Sequence, residues 1–132
     1  MNQKYKLINF ANHINCISYS KDDGCPFEIK RMFYIYDMDK HCPLFTYANK
    51  KAKTLIVTLN GTCILKVNDG HNSINIQLNS HQIGLYIDKM VWHEIIELSE
   101  GAKLLVLSSE FYDKNDYINS YEMYIKELKN DC

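Results

Sequence analysis

Apolar and polar positions alternate with period two over residues 28–37, EIKRMFYIYD. Ile29, Arg31, Phe33 and Ile35 fall on one face of the predicted strand, and Lys30, Met32, Tyr34 and Tyr36 on the other. Aromatic and β-branched residues suit a half-buried pleated surface. Pro26 keeps the strand from starting earlier. Tyr34 and Tyr36, two hydroxyls on one face, suit a pocket wall; plain packing residues with wet hydroxyls are the alternative.

The same signals predict short strands along most of the chain. Residues 5–10 and 14–19 read as strands around a turn at 11–13, and 21–26, KDDGCP, reads as a loop. A polar bend is predicted at 38–43 and an extended stretch at 44–48. Residues 54–67, TLIVTLNGTCILKV, read as a hairpin, with Asn60-Gly61 as its type I′ turn. Both faces of that hairpin are partly apolar, which predicts a sandwich or barrel with both faces covered. Asp69-Gly70 marks another turn before a strand at 73–78. Strands follow at 84–87, 90–96 and 103–108, with Trp92 and His93 on opposite faces of the second. The period then changes. Tyr117, Ile118, Tyr121, Tyr124, Ile125 and Leu128 recur at helical spacing, predicting a helix over 116–129 capped by Asp113 or Asn115.

Composition narrows the class. The 132 residues suffice for one domain, taken as 1–132, with one core. The chain is 46% hydrophobic and 23% charged, an ordinary globular balance. A net charge of −1 offers no electrostatic case for nucleic acid or an anionic membrane. Arg31 is the one arginine, where a diphosphate clamp built on guanidinium forks would use more. Cys16, Cys25, Cys42, Cys63 and Cys132 are odd in number and lack CxxC spacing, so neither a disulfide framework nor a zinc site is indicated. No charged start leads into an apolar run and no apolar run reaches 18 residues. A reducing cytoplasm is the expected location.

PFEIKRMFYIYD, the NDG turn and GLYIDKMVWHEIIELSEGAKLLVLSSEFYDKNDYINSYEMYIKEL, in this order, resemble the sugar 3,4-ketoisomerases of the cupin superfamily. The resemblance spans residues 26–128. It is most specific at Trp92-His93 and at LVLSSEFYDKNDYI. It implies an all-β cupin-type jelly roll with a short C-terminal helix, a homodimer, and no metal or other cofactor. It also implies activity on a dTDP-linked keto-deoxysugar, dTDP-4-keto-6-deoxyglucose.

The chain departs from that family where the chemistry lies. The family's His-x-His falls on Tyr47-Ala48-Asn49, its Arg-Gly on Leu44-Phe45 and its glutamine on Thr54. Its N-terminal Asp-x-Arg-Gly falls on residues 12–15, and the arginine after the DYI segment is Asn119. Moving a ketone from C4 to C3 needs a base at C3 and a donor at C4, through an enediol. Histidine suits that task near neutral pH, whereas asparagine cannot exchange a proton. Tyr47 can donate a hydrogen bond to an enediolate without acting as base. His93 and His41 remain as bases, each with a bland alternative: a satisfied core histidine and an exposed loop histidine. The Lys50-Lys51-Ala52-Lys53 run reads as a solvated edge.

The expected site is therefore Tyr47, Asn49 and His93 for chemistry and Arg31, Tyr34, Tyr36 and Thr54 for substrate. Two functions follow from the resemblance. One is a ketoisomerase of deoxysugar biosynthesis. The other is a non-catalytic homologue that binds a nucleotide sugar or partners an active enzyme. An unrelated small-molecule barrel is a third reading.

Overall fold

The computed structural model describes residues 4–13, 16–36 and 46–130. His41, the bend predicted at 38–43 and the Leu44-Phe45 pair lie outside the described residues. Two antiparallel five-stranded sheets form the fold.

The first sheet contains β1 (Tyr5–Asn9), β4 (Arg31–Tyr36), β6 (Thr54–Asn60), β9 (Ile83–Ile87) and β11 (Lys103–Ser108), in the order β1-β9-β6-β11-β4. The second contains β5 (Thr46–Asn49), β7 (Cys63–Asn68), β8 (Ser73–Leu78), β10 (Trp92–Leu98) and β12 (Tyr117–Ile118), in the order β12-β5-β10-β7-β8. Two-residue strands β2 (Asn12–His13) and β3 (Cys16–Ile17) pair with each other. Helix α1 (Tyr121–Asn130) ends the described chain. This is the cupin-type jelly roll, all-β with one short C-terminal helix.

Alternation along the strands builds three apolar layers. Ile35, Ile56, Leu65, Val67, Leu85, Leu104 and Val106 meet between the sheets. Leu55, Val57, Leu105 and Leu107 point out of the first sheet and are covered by Phe10, Cys25 and Phe27. Trp92, Ala48 and Ile118 point out of the second and are covered by Tyr124 of α1. Both faces of residues 54–57 are thus buried, as their two apolar faces predict.

The expected 54–67 hairpin does not form. β6 pairs with β9 and β11, and β7 pairs with β8 and β10, so residues 60–62 carry the chain from one sheet to the other. A hairpin and a sheet-changing corner share the same Asn-Gly signal. Gly61 takes φ +78°, but Asn60 does not have the positive φ that a type I′ turn requires. The corner docks on the turn before β11: the Thr62 N–H donates to Ser99 Oγ at 2.8 Å, and the Asn60 amide donates to the Gly101 carbonyl at 3.0 Å.

The helix is also shorter than predicted. Lys114–Asp116 form a 3₁₀ turn, and Tyr117–Ile118 join β5 as a strand before α1 begins. Asp113 caps the 3₁₀ turn through the Asn115 N–H (2.9 Å), while Ser120 precedes α1 and receives the Met123 N–H on its side chain (3.4 Å). Tyr117 and Tyr121 share helical spacing by coincidence of two elements. Asn12–His13 is strand where a turn was expected, and the strand predicted from residue 28 begins at Arg31.

Candidate active site

The register gathers most of the expected site residues at one end of the space between the sheets. On the first sheet, Arg31 lies opposite Ser108 and Ser108 opposite Thr54. Arg31 shares its inward parity with Phe33 and Ile35, and Thr54 with Ile56. On the second sheet, Tyr47 lies opposite His93 and Asn49 opposite Tyr117. The inward side chains of both sheets therefore converge: Arg31 and Thr54 from one, Tyr47, Asn49, His93 and Tyr117 from the other. Tyr34 and Tyr36 are not among them. They occupy the other face of β4 and are 55% and 64% exposed.

His93 is the deepest member. Its Nδ1 lies 3.3 Å from the Val91 carbonyl, which can only accept, so Nδ1 carries the proton. That leaves Nε2 as a lone pair, buried and without a hydrogen-bond partner. Burial, opposed weakly by the Val91 bond, lowers the imidazole pKa to about 4. Trp92, on the opposite face of β10, packs against Tyr121 and Tyr124, as alternation predicts.

Tyr47 packs edge-on against His93, ring centroids 4.5 Å apart, and also against Tyr117 at 4.9 Å. Its phenol is held well above the usual range, first by burial and then by Tyr117, with Arg31 acting in the other direction. Tyr47 is therefore a hydrogen-bonding phenol and not an ionised base.

Asn49 is committed elsewhere. Its amide donates to Asp116 Oδ2 at 3.1 Å. The same buried carboxylate receives the Lys51 N–H at 2.6 Å and the Ala52 N–H at 3.3 Å. The lysine-rich run is thus a turn pinned by Asp116. A carboxylate that accepts three N–H groups anchors the β5–β12 corner and so fixes Tyr117.

Tyr117 joins the two sheets. Its hydroxyl accepts from Arg31 at 2.7 Å, linking edge strand β4 to edge strand β12. The Arg31 guanidinium stacks on Phe33 at 4.4 Å and on Tyr112 at 4.8 Å. Outside this bridge opens a cleft of about 340 Å³ lined by Arg31, Phe33, Tyr112, Lys114, Tyr117 and Asn119. Sequence reasoning missed Tyr112 and Lys114, which no periodicity singles out, and Asp116 and Tyr117, which the aromatic spacing assigned to a helix. The Asp113-x-Asn115 pair, typical of an Asx turn, was the signal for a break. No group of three His, Cys, Asp or Glu side chains placed to hold a metal occurs among the described residues.

A jelly roll whose interior holds imidazole and phenol groups, with Arg31 at its mouth, defines the class of the fold: a cupin. Residues 3–129 match the FdtA family, described as WxcM-like, C-terminal, and the chain belongs to that family. It is 36% identical over 127 residues to a TDP-4-oxo-6-deoxy-alpha-D-glucose-3,4-oxoisomerase of Aneurinibacillus thermoaerophilus, covering 93% of this chain and 91% of that one. A 3,4-ketoisomerase from Helicobacter canadensis superposes with TM-score 0.89 at 38% identity, over 97% of this chain and 99% of the other. The sugar 3,4-ketoisomerase QdtA of Thermoanaerobacterium thermosaccharolyticum, solved with TDP, superposes with TM-score 0.90 at 35% identity, over 99% and 98%.

Proposed function

We propose that this chain binds a TDP-linked 4-keto-6-deoxyhexose and moves its ketone from C4 to C3, with His93 as the base. One observation carries the assignment: His93, on the inward face of β10 beside Tyr47, keeps a buried Nε2 with no hydrogen-bond partner. In this reading the nucleotide enters at the Arg31 cleft, and the sugar displaces the Tyr47 ring that covers His93. Nε2 removes the C3 proton, the enediolate oxygens are held by the Tyr47 and Tyr117 hydroxyls, the O3 proton passes to O4, and the imidazolium returns its proton to C4 as the C3 carbonyl forms. Arg31 and Thr54 face this path. Tyr34 and Tyr36 face away from it within one chain.

Turnover of TDP-4-keto-6-deoxyglucose by the purified protein tests this. His93→Asn should lower kcat by about 10²–10⁴-fold, the usual contribution of a positioned base, while TDP affinity holds. Equal turnover by the variant would remove His93 from the role. A second reading, a non-catalytic nucleotide-sugar binder, is favoured by the commitment of Asn49 to Asp116 and by the full burial of His93. It predicts TDP binding with no turnover at all.

The same reading makes the protein a cytoplasmic homodimer. Met32, Tyr34 and Tyr36 are more than half exposed in a row along edge strand β4, beside the apolar layer around Leu105 and Leu107. Sedimentation at micromolar concentration should give twice the 15.5 kDa chain mass, and Tyr34→Glu with Tyr36→Glu should give the single chain. A wild-type protein sedimenting only at 15.5 kDa would contradict it.

A further inference from the structure

The lining of the cleft outside Tyr117 is cationic. Two of its lining side chains, Arg31 and Lys114, are cations, and none is a carboxylate. The flanking carboxylates are turned to backbone and amide donors: Asp113 receives the Asn115 N–H at 2.9 Å, and Asp116 receives three N–H groups on the inner side. The aromatic rings of Phe33, Tyr112 and Tyr117 wall the cleft, so an anion there is partly shielded from water and its attraction to the cations is strengthened.

The two cations are held differently. Arg31 is fixed by stacking on Phe33 and Tyr112 and by its bond to Tyr117. Lys114 opens the 3₁₀ turn that Asp113 caps and Asp116 ties to the β5 corner, so its backbone is fixed while its exposed side chain can swing. A planar fork and a mobile ammonium facing one cleft suit two adjacent phosphoryl groups, one taken by each.

We infer that Lys114 is a substrate-binding residue, the second cation for the diphosphate of the nucleotide sugar, completing a site that Arg31 alone leaves half-neutralised. This rests on the function proposed above and names the residue that lets a chain with a single arginine hold a diphosphate. It places the diphosphate at the barrel mouth, between the buried sugar site and the outer wall formed by Tyr112.

Titration with TDP and, separately, with thymidine tests it. Lys114→Gln should weaken TDP by about tenfold, as expected for one charge-assisted contact, and leave thymidine unchanged. Adding Asn119→Arg to Lys114→Gln returns a cation to the same cleft from the neighbouring position and should recover most of the lost affinity. Unchanged TDP affinity in Lys114→Gln, or an equal loss for thymidine, would overturn the inference while leaving the proposed function standing. Failure of the unmodified protein to bind TDP would overturn both.

Discussion

His93 is neutral in the folded protein because burial without a counter-charge disfavours the imidazolium, and its pKa falls to about 4. The unfolded chain binds that proton near the ordinary value of about 6.5. Between these values the unfolded state holds more protons, so stability is fully present above pH 6.5 and is lost as pH falls towards 4. The local slope is about 1.4 kcal/mol per pH unit. Denaturant melts at pH 7 and pH 4.5 should show this loss, and His93→Gln should shrink it; equal pH dependence in the variant would place the acid sensitivity elsewhere. The same lowered value predicts that any turnover keeps its rate well below pH 6.5, at the cost of a weaker base. Residue identity foretold part of this. Trp92 and His93 had to face opposite ways on a strand. That Asn49 is bound to Asp116 was not legible, because 67 residues separate them and no local pattern encodes the contact.

At the scale of elements, strands were read from alternation and their partners were not. The 103–108 and 73–78 strands were legible to the residue, since an apolar run in the first and apolar alternation in the second end at plain turn signals. The Asn60-Gly61 step was legible as a turn but not as a corner between sheets, because pairing depends on the whole barrel. Gly61 still matters, for a different reason. It holds φ +78°, and a Cβ there would stand 3.0 Å from the Ala102 Cα and 2.5 Å from Ser99 Oγ. Gly61→Val combines left-handed strain with a backbone clash and should cost about 3 kcal/mol, lowering Tm by roughly 10 °C. A melting curve unchanged from wild type would show that the corner relaxes freely. The predicted helix failed at its first turn for a similar reason. Edge strand β5 offers unpaired backbone groups to Tyr117 and Ile118, and a sheet contact outweighs helical spacing.

Over the whole molecule, two sheets bring together at one barrel mouth what the sequence keeps apart. Arg31 and Tyr117 lie on the outermost strands of opposite sheets, and their hydrogen bond links the two sheets there. Behind it sit Tyr47 and His93, and in front of it the cleft with Lys114. No described helix is long and apolar enough to cross a membrane. The central claim proposed above is that the imidazole on β10 performs the proton transfer, at the end of the barrel where the resemblance sets Tyr47 and Asn49 in place of a histidine pair. Solvent exchange at the sugar C3 tests it most directly. TDP-4-keto-6-deoxyglucose incubated with the protein in D₂O should lose its C3 proton signal at an enzymatic rate. His93→Asn should slow that loss by at least about 10²-fold. Exchange no faster than in buffer, from a protein that binds TDP, would contradict the claim and leave a nucleotide-sugar binder.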